Sequence, residues 1–130
     1  MVIVQKRVIR VLANADYRTH ASPLFFKLSL LKLHDIYRLR IAELVFRYIN
    51  HLLPESCANY FNPTPSTYSY NVRHTSYFKA IRYRTNVRFN CLNVQGPLIW
   101  DSLPADIRTA CSLFVFKRLL TPFLLNNYVV

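Results

Sequence analysis

Two-metal chemistry on phosphates needs clustered carboxylates, which hold the ions about 4 Å apart and stabilise the entering and leaving oxygens. The six acids, Asp16, Asp35, Glu43, Glu55, Asp101 and Asp106, stand apart along the chain, with no adjacent Asp-Asp pair. A phosphate-cradling loop needs several glycines, and this chain has one, so a P-loop or Rossmann site is excluded. His20, His34, His51 and His74 follow one another at intervals of 14, 17 and 23, far from the spacing of helix-borne or finger-type metal ligands. Cys57, Cys91 and Cys111 are separated by 33 and 19 residues, which fits neither a paired disulfide framework nor a Cys-x-x-Cys metal pattern. No flanking signature supports a Cys/His nucleophile. The expectation is a chain with no enzyme activity of its own, no metal and no cofactor.

The residues that remain favour binding. Seventeen Lys and Arg against six acids give +11 and a pI near 10.0, a field that attracts phosphate backbones without reading their sequence. No acid occurs between Glu55 and Asp101, while Arg73, Lys79, Arg82, Arg84 and Arg88 interleave there with Tyr68, Tyr70, Tyr77, Phe78, Tyr83 and Phe89. Guanidinium groups pair with phosphates and aromatic rings stack on unpaired bases, so this alternation suits a single-strand surface. Arg73, Lys79, Arg82, Tyr83, Arg84 and Arg88 are the candidate nucleic-acid contacts. A β-hairpin explains the pattern equally well: Arg82, Arg84 and Arg88 would face water while Tyr83, Val87 and Phe89 pack inward.

The apolar share of 52% argues for a folding or docking chain, and 130 residues allow one domain or a domain fragment. The spacing of Val4, Val8, Val11 and Leu12, with Lys6, Arg7 and Arg10 opposite, predicts an amphipathic helix over 4–13. Ser22 as cap and Pro23 as first residue predict a short helix presenting Leu24, Phe25 and Leu28 to a core. The longest helix is predicted over 35–53, with Ile36, Leu39, Phe46, Ile49 and Leu53 inward and Arg40, Glu43, Arg47 and His51 as a solvated stripe.

Pro54, Pro63 and Pro65 open a long irregular stretch, and 86–94 is the best strand candidate. Gly96 is read as a sharp turn and Pro97 as a helix opening, with Trp100 and Leu103 in the core before Pro104 ends it. A last helix follows Ser112, with Pro122 as a kink or early stop. The predicted fold is mainly α: three to four helices around a central irregular segment with room for a short β-hairpin. Its parts are 1–54, 55–95 and 96–130. Only three apolar residues stand between Met1 and Gln5, too few for a signal-peptide core, and no apolar run reaches 18 residues, so an intracellular chain, nuclear or cytoplasmic, with no membrane partner is expected.

An ordered series of short motifs spans nearly the whole chain. It comprises Gln5-Lys6-Arg7-Val8-Ile9-Arg10, Asp16-Tyr17-Arg18-Thr19-His20, Pro23-Leu24-Phe25, Leu30-Leu31-Lys32-Leu33 with Asp35-Ile36-Tyr37, and Leu53-Pro54. Tyr70-Asn71-Val72-Arg73, Gly96-Pro97 with Trp100, Leu103 and Pro104, and Ser112-Leu113 with Phe116-Lys117 complete it. The series resembles the segment that follows the polymerase and thumb in non-LTR retrotransposon reverse transcriptases of the CR1, L2 and jockey type. Asp101 stands where that family usually has Asn, and Val72 where Thr is common.

The resemblance implies a part of an RNA-directed DNA polymerase that contacts RNA template or target DNA, with the rest of the reverse transcriptase polypeptide as its partner. The catalytic aspartates of such proteins lie outside the matched segment. The opening motif directly after Met1 suggests a frame cut from a longer one. A competing expectation is a packing module for the polymerase thumb, or an inert relic without activity of its own. A third is a mitochondrial import segment, because the first 15 residues are basic and free of acids.

Overall fold

A computed structural model of the chain describes residues 2–57, 59–63, 77–79 and 81–128. Among these residues the chain forms seven α-helices: α1 Val2–Leu12, α2 Ala21–Lys27, α3 Leu33–Ile49, α4 Asn86–Phe89, α5 Leu92–Asp101, α6 Ala105–Arg108 and α7 Leu113–Asn126. A 3₁₀ turn occupies Glu55–Cys57, and among the described residues the β contact is an isolated antiparallel bridge between Pro63 and Phe78.

The main core lies where α3 packs against α5 and α7. Buried Ile41, Ala42, Val45 and Phe46 of α3 meet Ile99 and Trp100 of α5 and Phe116, Leu120 and Leu124 of α7. An aromatic stack crosses all three helices: Phe46 lies 4.6 Å from Phe116, and Trp100 lies 5.9 Å from Phe116 on a nearly parallel plane. Phe61 and Phe78, both 2% exposed, close one end and pack edge-on and tilted against Tyr48.

A second cluster joins Ile9 of α1, Ala21 and Phe25 of α2 and Tyr128 after α7. The Gln5 side chain fastens α1 to the entry of α3: its Nε2 donates to Leu31 O (3.1 Å) and its Oε1 accepts from Leu33 N (3.0 Å).

Helices α1, α2 and α3 end in the same way. Asn14, Ser29 and His51 take left-handed φ of 49°, 52° and 55°. The following amides of Ala15, Leu30 and Leu52 donate back to Arg10, Phe25 and Arg47 carbonyls, satisfying groups that a helix end leaves open.

The fold departs from the sequence reading in helix count: seven helices replace three to four. The strand candidate 86–94 is helical, and no strand or hairpin forms among the described residues. The Thr85 hydroxyl accepts from Arg88 N and starts α4, and α5 begins at Leu92, after Cys91 at its N-cap position, five residues before the predicted opening at Pro97. Aromatic and β-branched residues there carry strand propensity, but no neighbouring strand satisfies their backbone, and a helix satisfies it locally. Residues 86–89 and 92–95 of the 55–95 block are helical.

Helix α3 stops at Ile49, four residues before the predicted end, and its buried line is shifted, leaving Ile36 39% exposed. Ser22 lies inside α2 and does not cap it; its Oγ accepts from Lys32 Nζ (3.0 Å). Helix α7 continues through Pro122 to Asn126, because its last turn buries Leu124.

Candidate nucleic-acid interface

The described cations fall into two groups. One group is already engaged inside the fold. Arg10 donates to Thr19 O at 2.8 Å and lies over the Tyr17 ring. Lys32 sits 4.2 Å from the Tyr128 ring centre. Arg40, Arg47 and Lys117 converge on the Glu43 carboxylate at 3.1, 2.8 and 2.9 Å, stitching α3 to α7. Glu43 is 5% exposed, so the predicted solvated stripe is anchored by a buried acid. Burial opposes ionisation of that acid, yet the hydrogen bond and charge of Lys117, with Arg40 and Arg47, outweigh it and hold the carboxyl below its ordinary value.

The second group, which also holds Lys6, Arg7, Arg18, Lys27, Arg38, Arg108 and Arg118 elsewhere in the chain, includes the candidates Lys79, Arg82, Arg84 and Arg88. The side chains of these four candidates are exposed and make no hydrogen bond or ion pair among the described residues. Tyr83, 49% exposed, packs its ring 5.0 Å from Phe89 and so ties the stretch 81–84 to α4. Arg82 and Arg84 flank one ring of this pair along the chain, and Arg88 adjoins the other. Three arginines thus stand next in sequence to one or other ring of this pair. Lys79 is set by its own amide, which donates to Asn62 O at 2.9 Å beside buried Phe78. Phe78 itself is a core residue and is removed from the stacking candidates. Arg73, with Tyr68 and Tyr70, lies outside the described residues.

The residues read as structural sit within the core or at its margin. Trp100 is 4% exposed, Leu103 is 4% exposed, and Pro97 is buried within α5. Pro104 forms the N-cap of α6. Gly96 makes no turn: it lies in α5 without a positive φ. Its missing side chain leaves room for Phe61 and Val45, since a Cβ there would fall 2.6 Å from Phe61 Cε1 and 3.1 Å from Val45 Cγ2.

Two features escaped the sequence reading. The first is a buried polar latch at the end of the chain: the Tyr128 hydroxyl donates to Asp35 Oδ2 and accepts from Lys32 N at 2.9 Å. Burial and the Asp35 hydrogen bond push the Tyr128 phenol above its ordinary value. The second is an open groove of about 580 Å³ between α3 and the α4–α5 corner, lined by His34, Tyr37, Arg38, Phe89, Asn90 and Leu98 among others. Helical spacing along α3 places His34, Tyr37 and Arg38 side by side, but no local signal says that Phe89 and Asn90 come to face them.

Among the described residues no three of His, Cys, Asp or Glu come together as a metal site. No helix among them is long and apolar enough to cross a membrane. No protein-family model, curated protein or solved structure matches the chain.

Proposed function

We propose that the chain is a non-catalytic, nucleic-acid-binding helical module, the post-polymerase portion of a non-LTR retrotransposon reverse transcriptase, which contacts single-stranded RNA template or target DNA. The observation that carries this reading is a run of unpaired cations close in sequence to an exposed aromatic ring. Arg10, Lys32, Arg40, Arg47 and Lys117 are engaged by Glu43, by a backbone carbonyl, by Ser22 and by aromatic rings, whereas Lys79, Arg82, Arg84 and Arg88 have no hydrogen bond or ion pair among the described residues, and Tyr83 in their midst is 49% exposed. Unpaired cations around an aromatic pair suit a phosphate backbone whose bases are free to stack. The origin rests on the ordered motifs from Gln5 to Lys117. An upstream frame encoding a polymerase with an Asp-Asp pair would support it, and intact genomic sequence without one would remove it.

The test of binding is an anisotropy titration against single-stranded RNA at low and moderate salt. Salt-dependent binding, lost when Lys79, Arg82, Arg84 and Arg88 are together changed to Gln, is the expected result. Binding that is absent, or indifferent to those changes, rejects the reading.

A second reading is favoured by α1. Only Ile9 of this helix is buried, while Val4, Val8 and Val11, on the apolar side of the predicted amphipathic helix, are 62%, 50% and 79% exposed. A packing module that buries this face against the rest of a longer polypeptide explains it, and the same titration separates the two, because a pure packing module binds no RNA.

A further inference from the structure

We infer that the groove between α3 and the α4–α5 corner holds one unpaired nucleobase of a bound single strand. This assignment rests on the nucleic-acid reading above and adds to it a specific pocket. The groove lies next to the basic surface, because Phe89 and Asn90 on its wall directly follow Arg88. A strand whose phosphates lie along Arg82, Arg84 and Arg88 therefore brings its neighbouring base to the groove mouth.

The walls carry the chemistry that a base requires. Tyr37 and Leu98 leave 45% and 48% of their surface uncovered, so an aromatic face and an apolar surface are available for a flat ring. Arg38 and Asn90 supply donors, and the Asn90 amide and His34 imidazole also supply acceptors, in reach of a base edge. The side chains of His34, Tyr37, Arg38 and Asn90 have no hydrogen-bond or ion-pair partner among the described residues. Gln95 donates to Phe89 O at 3.0 Å and holds this corner in place, so the pocket exists before a ligand arrives. Its volume falls within the roughly 300–1,000 Å³ of small-molecule sites.

An apolar peptide side chain would leave the guanidinium and amide unanswered, and it would gain nothing from the surrounding positive field. A base in a duplex is paired and stacked on both faces and cannot enter; one in a single strand can be splayed out at little cost.

The test uses the full chain and short RNAs, single-stranded or duplex, with 2-aminopurine at one position. Wild-type chain is expected to bind the single strand more tightly and to change the 2-aminopurine emission. Tyr37→Leu and Arg38→Gln each weaken single-strand binding on the order of tenfold, the scale of one stacked base, whereas Tyr37→Phe keeps it. Thermal melting of each variant shows that the fold is intact, and Asn90→Ala provides an exposed, conservative alternative if Arg38→Gln lowers the melting temperature.

If the groove variants bind within twofold of wild type while the Lys79, Arg82, Arg84 and Arg88 variant loses affinity, the pocket is wrong and the basic surface stands. Duplex binding as tight as single-strand binding also overturns the pocket. No salt-dependent RNA binding by the wild-type chain overturns both.

Discussion

Glycine inside a helix costs about 1 kcal/mol relative to alanine, so Gly96 must compensate elsewhere. It does so by letting the buried Phe61 ring and Val45 come against the α5 backbone, and the ring has no open side toward which to retreat. Gly96→Ala is therefore expected to destabilise the fold by about 1–3 kcal/mol despite its better helix propensity, measured as a drop in urea midpoint with the slope unchanged.

Glu43 is the other residue on which several partners depend. Its carboxyl is held below the ordinary value of 4.5, so its contribution is present above that value and fades as the pH falls through the lower, folded-state value. Glu43→Gln should cost about 1–3 kcal/mol at neutral pH. The stability difference between wild type and variant should shrink as the solution is acidified below 4.5; a difference independent of pH would refute the role given to this carboxylate.

At the scale of elements, three helices end on left-handed residues that are not glycine. Asn tolerates this geometry best, while Ser and His carry the Cβ penalty more fully. Ser29→Gly and His51→Gly are each predicted to raise stability by up to about 1 kcal/mol, because both side chains are exposed and nothing buried is lost. Chemical denaturation of the two single variants and the double variant checks this, with additivity expected for sites on different helices.

Element type was legible where apolar spacing was long, as in α3 and α7. It was misread at 86–94, where a Thr85 cap and the packing of Val94, Ile99 and Trp100 outweigh strand propensity. Pro122 shows the same competition: a proline inside a helix costs about 3 kcal/mol, yet the burial that follows keeps α7 intact.

At the scale of the whole molecule, the described cations divide into those engaged inside the fold and those without a partner among the described residues. Each phosphate contact to a single strand contributes roughly 0.7 to the salt slope of the binding constant. Replacing Lys79, Arg82, Arg84 and Arg88 by Gln should lower both affinity and slope, whereas replacing Arg40 should leave the slope nearly unchanged, because Glu43 already engages that guanidinium. A fall in slope for Arg40→Gln comparable to that of the four-residue variant would show that the division of cations does not decide where the nucleic acid lies.

The mainly helical class, the excess of positive charge and the grouping of Arg82, Tyr83, Arg84 and Arg88 follow from the sequence by itself, because charge and adjacency are properties of the chain before it folds. The reason for Gly96, the burial of Glu43 and the α3–α5 groove do not. Each depends on which side chain a distant element brings alongside: Phe61 against Gly96, Lys117 against Glu43, and Phe89 and Asn90 across from Tyr37 and Arg38. Helical periodicity says which residues share a face, but only packing decides what that face meets, and here it turned Val4, Val8 and Val11 outward and drew a carboxylate inward.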